Sequence, residues 1–225
     1  DEFQLKKLIA EVELYALKNI LDPDVGDNPK LLDIGCGEGF FLDQSAKWGF
    51  DICGVDYSDF GVNRFHPHIA DKVLKGDANT ILESMESEGR KFDICVIRQV
   101  LDHLLHPEEM MHQLGRILSP SGLISLTLSN NYNPLQMESL EKGYVESEVW
   151  FQPPLPLHYF NIENATRFVQ SLGFEVICSF ASFPIDLFLL NPHSNYVADK
   201  SKGKDAHLAR TQFDLIAARN GLENF

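Results

Sequence analysis

The apolar positions Leu5, Leu8, Ile9, Val12, Tyr15, Ala16 and Ile20 follow a helical period, which predicts a helix over 3–20. From residue 30 the pattern changes. Short apolar runs at 30–35, 51–56, 72–76, 92–98 and 122–129 alternate with helical stretches at 40–48, 59–66, 79–88 and 107–118. Most of the strand runs are apolar on both faces, as expected of strands inside a parallel sheet covered on each side. The predicted fold class is therefore α/β, a doubly wound, mostly parallel sheet with helices on both faces.

The regularity stops at Asn131. Residues 131–160 carry several prolines and clustered aromatics without a sustained period. Such a stretch is too long for an ordinary connection and too apolar for a disordered linker. It reads either as a substrate lid or as a seal on the open edge of the sheet. Residues able to face a substrate are Tyr132, Trp150, Phe151, His158 and Tyr159. After it, 160–174 reads as a capped helix ending at Gly173, and 175–183 reads as a sixth strand. The tail is ambiguous: 213–219 could be a seventh strand, but Ala206, Leu208, Ala209, Ala217 and Ala218 favour a helix ended by Gly221. The organisation expected is a single domain over 1–225, with an N-terminal helix and linker (1–29), a binding core (30–130), the candidate lid (131–160), and a C-terminal part (161–225) holding a helix, strand six and an insertion.

Composition narrows the partners. The net charge of −14 argues against nucleic acid and anionic membranes, because no basic stripe is present to meet phosphates. The one lysine-rich run, at 200–204, reads as a solvated loop. No apolar run is long enough to span a bilayer, and no secretory leader is visible. Cys36, Cys53, Cys95 and Cys178 have neither zinc nor redox-pair spacing. The expectation is a cytoplasmic enzyme for small molecules, with reduced thiols and no metal. The oligomeric state is left open.

The richest stretch is 31–42, LLDIGCGEGFFL. A buried strand carrying Asp33 runs into Gly35, Gly37 and Gly39, and a helix begins at Phe40. Alternate glycines permit a tight turn and the close approach of a ligand, and the helix start offers unpaired N–H groups. A dinucleotide fingerprint would need its third glycine at position 40, which is Phe40. Asp56 ends the next strand, about 20 residues on, where an acidic side chain is placed to accept from ribose hydroxyls. Asp77 ends the third.

The spacing D-x-G-x-G-x-G, followed in order by the strand ends at Asp56, Asp77 and Arg98, resembles the class I S-adenosylmethionine-dependent methyltransferases over roughly 30–183. The resemblance implies S-adenosyl-L-methionine as cofactor and S-adenosyl-L-homocysteine as product. It implies a cofactor site made by Asp33, Gly35, Cys36, Gly37, Gly39, Phe40, Asp56, Tyr57, Asp77, Ala78, Arg98 and Gln99, with Asp77 toward the adenine amino group and the Ala78 N–H toward a ring nitrogen. The acceptor implied is a small molecule, such as a sugar or other metabolite. If it is a hydroxyl it needs a base. His103, just beyond the fourth strand and beside Asp102, is the first candidate and His158 the second; the alternative for His103 is that it orders its loop. An NAD-type oxidoreductase, or a cofactor-binding protein without turnover, are the competing readings.

Overall fold

The computed structural model describes residues 2–21 and 26–220; part of the expected 1–29 linker and the expected terminator Gly221 lie outside them. The chain divides into two compact units, one of Glu13–Leu128 and one of the residues up to Val12 together with those from Ser129 onward.

The first unit is built on five strands: β1 (Lys30–Ile34), β2 (Asp51–Asp56), β3 (Val73–Lys75), β4 (Phe92–Arg98) and β5 (Leu118–Thr127). Their order is β3-β2-β1-β4-β5, and every pair is parallel. The apolar runs explain this. Leu31, Leu32, Ile34, Ile94 and Ile97 are fully buried, as residues covered on both faces must be. The helices α2 (Phe40–Lys47), α3 (Phe60–Phe65), α4 (Ala78–Ser87) and α5 (Pro107–Ile117) make the connections. The order reverses between β1 and β4, so the crevice at their carboxyl ends is the switch point where such sheets take ligands.

Three expectations are corrected in this unit. The helix expected over 59–66 ends at Phe65, because Pro67 cannot continue it and a 3-10 turn follows at Pro67–Lys72. The strand expected over 122–129 begins earlier, at Leu118, and takes Pro120-Ser-Gly inside it. Phe92 pairs with Leu118 but Ile94 with Leu123, so the edge strand absorbs these residues as a bulge. The N-terminal helix α1 (Glu2–Ile20) forms, but its buried face is rotated: Leu14, Ala16 and Leu17 are buried while Ile9 is exposed. The side chain that sets this rotation is Glu13, described below.

The second unit holds α6 (Pro134–Glu141), α7 (Ile162–Ser171) and α8 (Gly203–Arg219). α6 was not anticipated. Its signals are local: Pro134 occupies the first turn and the Asn133 side chain accepts from the Gln136 N–H at 3.0 Å. α7 opens with a reciprocal cap between Asn161 and Asn164 and closes at Gly173 (φ 87°). α8 is helical, as its alanines favour. The sixth strand expected at 175–183 does not form. Its apolar residues remain unpaired by a sheet: Ile177 is 63% and Phe180 47% exposed, and among the described residues no sheet hydrogen bonds are made there. An apolar run favours a strand without supplying an edge to pair with. Cys178, expected in a buried strand, is exposed for the same reason. A small core of Val145, Trp150 and Leu189, flanked by Leu140, Val149 and Tyr196, holds this unit. Among the described residues no helix is long and apolar enough to cross a membrane.

Gly54, buried in the middle of β2, shows how closely the first unit is packed. A Cβ there would lie 2.5 Å from Leu42 Cδ1 and 2.9 Å from Cys36 Sγ. Gly54→Ala should therefore destabilise by about 1–3 kcal/mol through overpacking. Urea denaturation reads this directly; an unchanged midpoint would mean that β2 and α2 can part freely.

Candidate functional site

The glycine turn joins β1 to α2 with φ of 74° at Gly35, 56° at Gly37 and 79° at Gly39. These are left-handed values that favour glycine. The three positions differ in what surrounds them. A Cβ on Gly35 would come within 2.4 Å of Val100 Cγ2 and one on Gly39 within 3.0 Å of Val62 Cγ2, whereas one on Gly37 would meet nothing within 4 Å. Gly35 and Gly39 are packed; Gly37 faces open space. The turn is tied to β2 from several directions. The N–H groups of Gly35 and Cys36 donate to the Val55 carbonyl at 2.8 and 3.3 Å. The Gly37 N–H donates to Asp56 Oδ2 at 2.8 Å, and the Ser58 N–H donates to Asp56 Oδ1 at 3.0 Å. Phe40 begins α2 and is buried; burial, then Asp33 and Asp56, push the Cys36 thiol pKa up.

Asp77 caps α4: its Oδ1 accepts from the Thr80 N–H at 3.0 Å, while the Tyr57 hydroxyl donates to Oδ2 at 2.7 Å. That tyrosine bond and the cap hold the Asp77 pKa below the usual carboxylate range. Ala78 is the first residue of α4, and Tyr57 is largely exposed. Asp56, Tyr57, Asp77 and Ala78 thus fall together at the carboxyl ends of β2 and β3.

Asp33 is fully buried. Arg98 Nη2, from the end of β4, donates to its Oδ2 at 3.2 Å; its Oδ1 is buried with no hydrogen-bond partner. The guanidinium lies 4.3 Å over the Phe41 ring, and its Nε is 3.9 Å from Glu13 Oε2. Ser125 donates to the other Glu13 oxygen at 3.2 Å. Burial works against the charge of Arg98, but Asp33 and Glu13 more than offset it, so its pKa is raised. Burial also raises both carboxyls: Asp33 is pushed up against the pull of Arg98, and Glu13 is pushed from its ordinary 4.5 to about 7. Arg98 therefore serves Asp33 and Glu13 inside the unit. Gln99, next to it, turns the chain with φ 54° and donates its N–H to the Thr127 carbonyl at 2.9 Å.

His103 sits in a 3-10 turn (Leu101–His103) after β4, with its side chain 42% exposed and Nε2 3.9 Å from Asp102 Oδ2. That separation exceeds a hydrogen bond. In the second unit, Tyr132, Trp150 and Tyr159 come together. The Tyr132 ring lies 6.1 Å from both Trp150 and Tyr159, edge-on to each, and Phe151 is 5.3 Å from Tyr159. Tyr132 has a positive φ of 55°, its hydroxyl donates to Glu148 at 3.2 Å, and Trp150 Nε1 is buried without a partner. His158 packs instead against Phe160, at 6.2 Å. His103 and His158 belong to different units.

Two inward-facing groups, the half-buried Glu13 and the buried His66, escaped the sequence reading. Glu13 had a signal, a carboxylate one helical turn before the apolar Leu17. His66, buried beside the glycine turn, had none beyond its place at the end of α3, before Pro67.

Comparison with known proteins agrees with this geometry. A family model described as a methyltransferase domain matches residues 3–179. A ubiquinone biosynthesis O-methyltransferase of Bartonella tribocorum is 32% identical over 157 residues, 65% of this chain and 64% of that protein. One from a Caulobacter species is 31% identical over 119 residues, 52% of this chain and 47% of that protein. The chain thus spans between about half and two thirds of the length of these relatives. A solved S-adenosylmethionine-dependent methyltransferase from Archaeoglobus fulgidus shares the fold, with a TM-score of 0.55 at 20% identity over 88% of this chain and 86% of that one.

The Glu13 environment makes stability depend on pH. Glu13 titrates near 4.5 when unfolded and near 7 when folded. Between those values the folded protein holds more protons, so stability falls as pH rises from about 4.5 to about 7 and then levels off. A shift of this size corresponds to roughly 3 kcal/mol. Glu13→Gln keeps the neutral shape and should flatten that slope. Denaturant titrations at pH 5, 6, 7 and 8 check this; parallel curves for the two proteins would show that Glu13 stays ionised throughout.

Proposed function

Because this chain belongs to the class I S-adenosylmethionine-dependent methyltransferase family, we propose that it moves the methyl group of S-adenosylmethionine to a hydroxyl of a small aromatic acceptor. The observation that carries the cofactor half is the glycine turn itself, with Gly37 facing open space and its N–H held by Asp56. The residues present fit that cofactor. A side chain at position 37 would fill the cradle, and each Asp56 oxygen keeps a lone pair beyond the one already used. Asp56 would accept from the ribose hydroxyls. Asp77 would receive the adenine amino group, in place of or beside Tyr57, with the Ala78 N–H toward the ring. Asp33 and Arg98 keep the approach to the turn rigid from within.

When bound, S-adenosylmethionine supplies a methyl carbon activated by its sulfonium. The chain's task is to hold the acceptor oxygen in line with that carbon, keep water out, and take the hydroxyl proton. We assign the proton to His103. The hydroxyl acceptor is supported by the O-methyltransferase names of the relatives. The aromatic class is supported by the cluster of Tyr132, Trp150, Phe151 and Tyr159 within the stretch read as a lid, with His158 as a further polar contact. The acidic net charge, −14, supports small-molecule rather than nucleic-acid partners, and the free cysteines suit a reducing cytoplasm.

Isothermal titration should show wild-type protein binding S-adenosylhomocysteine and not NAD. Asp56→Ala should weaken that binding about tenfold to a hundredfold by removing charge-assisted hydrogen bonds. Affinity for NAD alone would overturn the cofactor assignment. A methyl-transfer screen over phenols and sugars then decides the acceptor, with turnover of sugars alone contradicting the aromatic class.

For His103, the alanine variant should lose about 10²-fold or more in kcat while cofactor affinity is kept. Activity within about threefold of wild type from pH 6 to 9 would leave positioning as the source of rate and His103 as a loop residue.

A further inference from the structure

The glycine turn has a second support that lies outside the residues assigned to the cofactor. His66 follows α3, its side chain 7% exposed. Its Nδ1 lies 2.8 Å from the carbonyl of Glu38, the residue between Gly37 and Gly39. A carbonyl only accepts, so the ring carries its hydrogen on Nδ1 in either protonation state. The ring edge meets Phe40 at 4.6 Å, and Nε2 faces Asp43 Oδ2 at 3.7 Å. Asp43 is itself buried and fixed by Lys47 at 2.6 Å, by His68 at 2.8 Å and by Gln44 at 3.1 Å. Burial pushes the Asp43 pKa up, but these bonds outweigh it, so the carboxylate stays ionised. The imidazole is thus held at its edge by Phe40 and at Nδ1 by the Glu38 carbonyl, while the separation from Asp43 exceeds a hydrogen bond.

The same segment touches the turn at two other points. Asp56 takes the Gly37 N–H. Gly61 lies so close that a Cβ would stand 2.9 Å from the Gly37 carbonyl oxygen. Between them, Asp56, Gly61 and His66 fix the peptides on either side of Gly37 and that of Glu38. A turn built of glycines has many conformations open to it, so contacts from outside are needed to hold it in one.

We infer that His66 is a positioning residue that sets the affinity for the cofactor by fixing the Glu38 carbonyl and, through it, the orientation of the glycine turn. The role is indirect, since the ring bonds the turn and not the ligand. It rests on the cofactor reading above and goes beyond it, because neither His66 nor Asp43 belongs to the strand-end set.

Two variants separate the donor from the bulk. His66→Phe fills the space without a donor. His66→Asn places an amide N–H near the position of Nδ1. His66→Phe should bind S-adenosylhomocysteine about tenfold more weakly, the size expected for one lost hydrogen bond. Its KM for S-adenosylmethionine should rise to match, while kcat at saturation changes by less than about threefold. His66→Asn should recover most of the affinity. In protein without cofactor, amide exchange at 37–40 should be faster in His66→Phe and near wild type in His66→Asn. Wild-type affinity and exchange in a folded His66→Phe would overturn the inference while leaving the cofactor reading intact. So would a loss of thermal stability in both variants without any change in affinity. If wild type itself fails to bind S-adenosylhomocysteine, the cofactor reading falls and this assignment with it, whatever the exchange data show about the turn.

Discussion

A carboxylate inside a parallel sheet cannot stand alone, and Asp33 is fully buried in one. Desolvation disfavours its charge, and breaking a buried ion pair from one side costs about 3–5 kcal/mol. The guanidinium of Arg98 meets it at 3.2 Å. That contact requires β4 to lie beside β1 in its observed register, where Asp33 pairs with Val96. The crossing of β4 to the far side of β1 is what creates the switch point. Arg98 has charge left to share, and Glu13 reaches it from α1. The rotation of α1 follows, since Glu13 must face inward and Leu14 and Leu17 turn with it. One buried charge cluster thereby fixes the strand order, the rotation of the N-terminal helix and the start of the glycine turn two residues later.

The turn divides its work among chemically different neighbours. Gly35 and Gly39 are required by packing on Val100 and Val62, and Gly37 by backbone angle beside open space. A Cβ would therefore meet a side chain at the first and third glycines but not at the second. As a carboxylate Asp56 bonds two backbone N–H groups that shape the turn and keeps further lone pairs for a ligand. An amide at this position would have one acceptor oxygen in place of two and could not take both N–H groups in the same way.

The parts of the fold legible in the sequence are those where one physical cause acts locally. β2 and β4 appear at their expected bounds because a run apolar on both faces has few other places to go. Asp56 was legible because β2 ends there, whereas Asp77, expected to end the third strand, lies two residues beyond β3 and caps α4. What was not legible depends on distant partners. The apolar run at 175–183 is exposed and pairs with no described strand, and the early start of β5, through Pro120-Ser-Gly, depends on a bulge in its pairing with β4. The rotation of α1 was misread because apolar periodicity counts only hydrophobic contacts, and an inward-facing glutamate opposite an arginine outweighs Ile9. His66 was invisible for the same reason: its partners are 28 and 23 positions away in the chain, at Glu38 and Asp43.

The residues that carry the two halves of the proposed reaction belong to separate compact units, and their physical character differs accordingly. The cofactor half is made of carboxylates and glycines at strand ends, held by buried ion pairs and main-chain bonds. Substitution at Asp33 leaves the charge of Arg98 short of a partner, and substitution at Gly35 or Gly39 brings a Cβ against Val100 or Val62. The aromatic cluster around Trp150 is held by ring contacts and one peripheral hydroxyl bond from Tyr132 to Glu148. Contacts of that kind are weak singly and broad in geometry. Replacing one aromatic residue with another there changes the shape offered to an acceptor without exposing a buried charge.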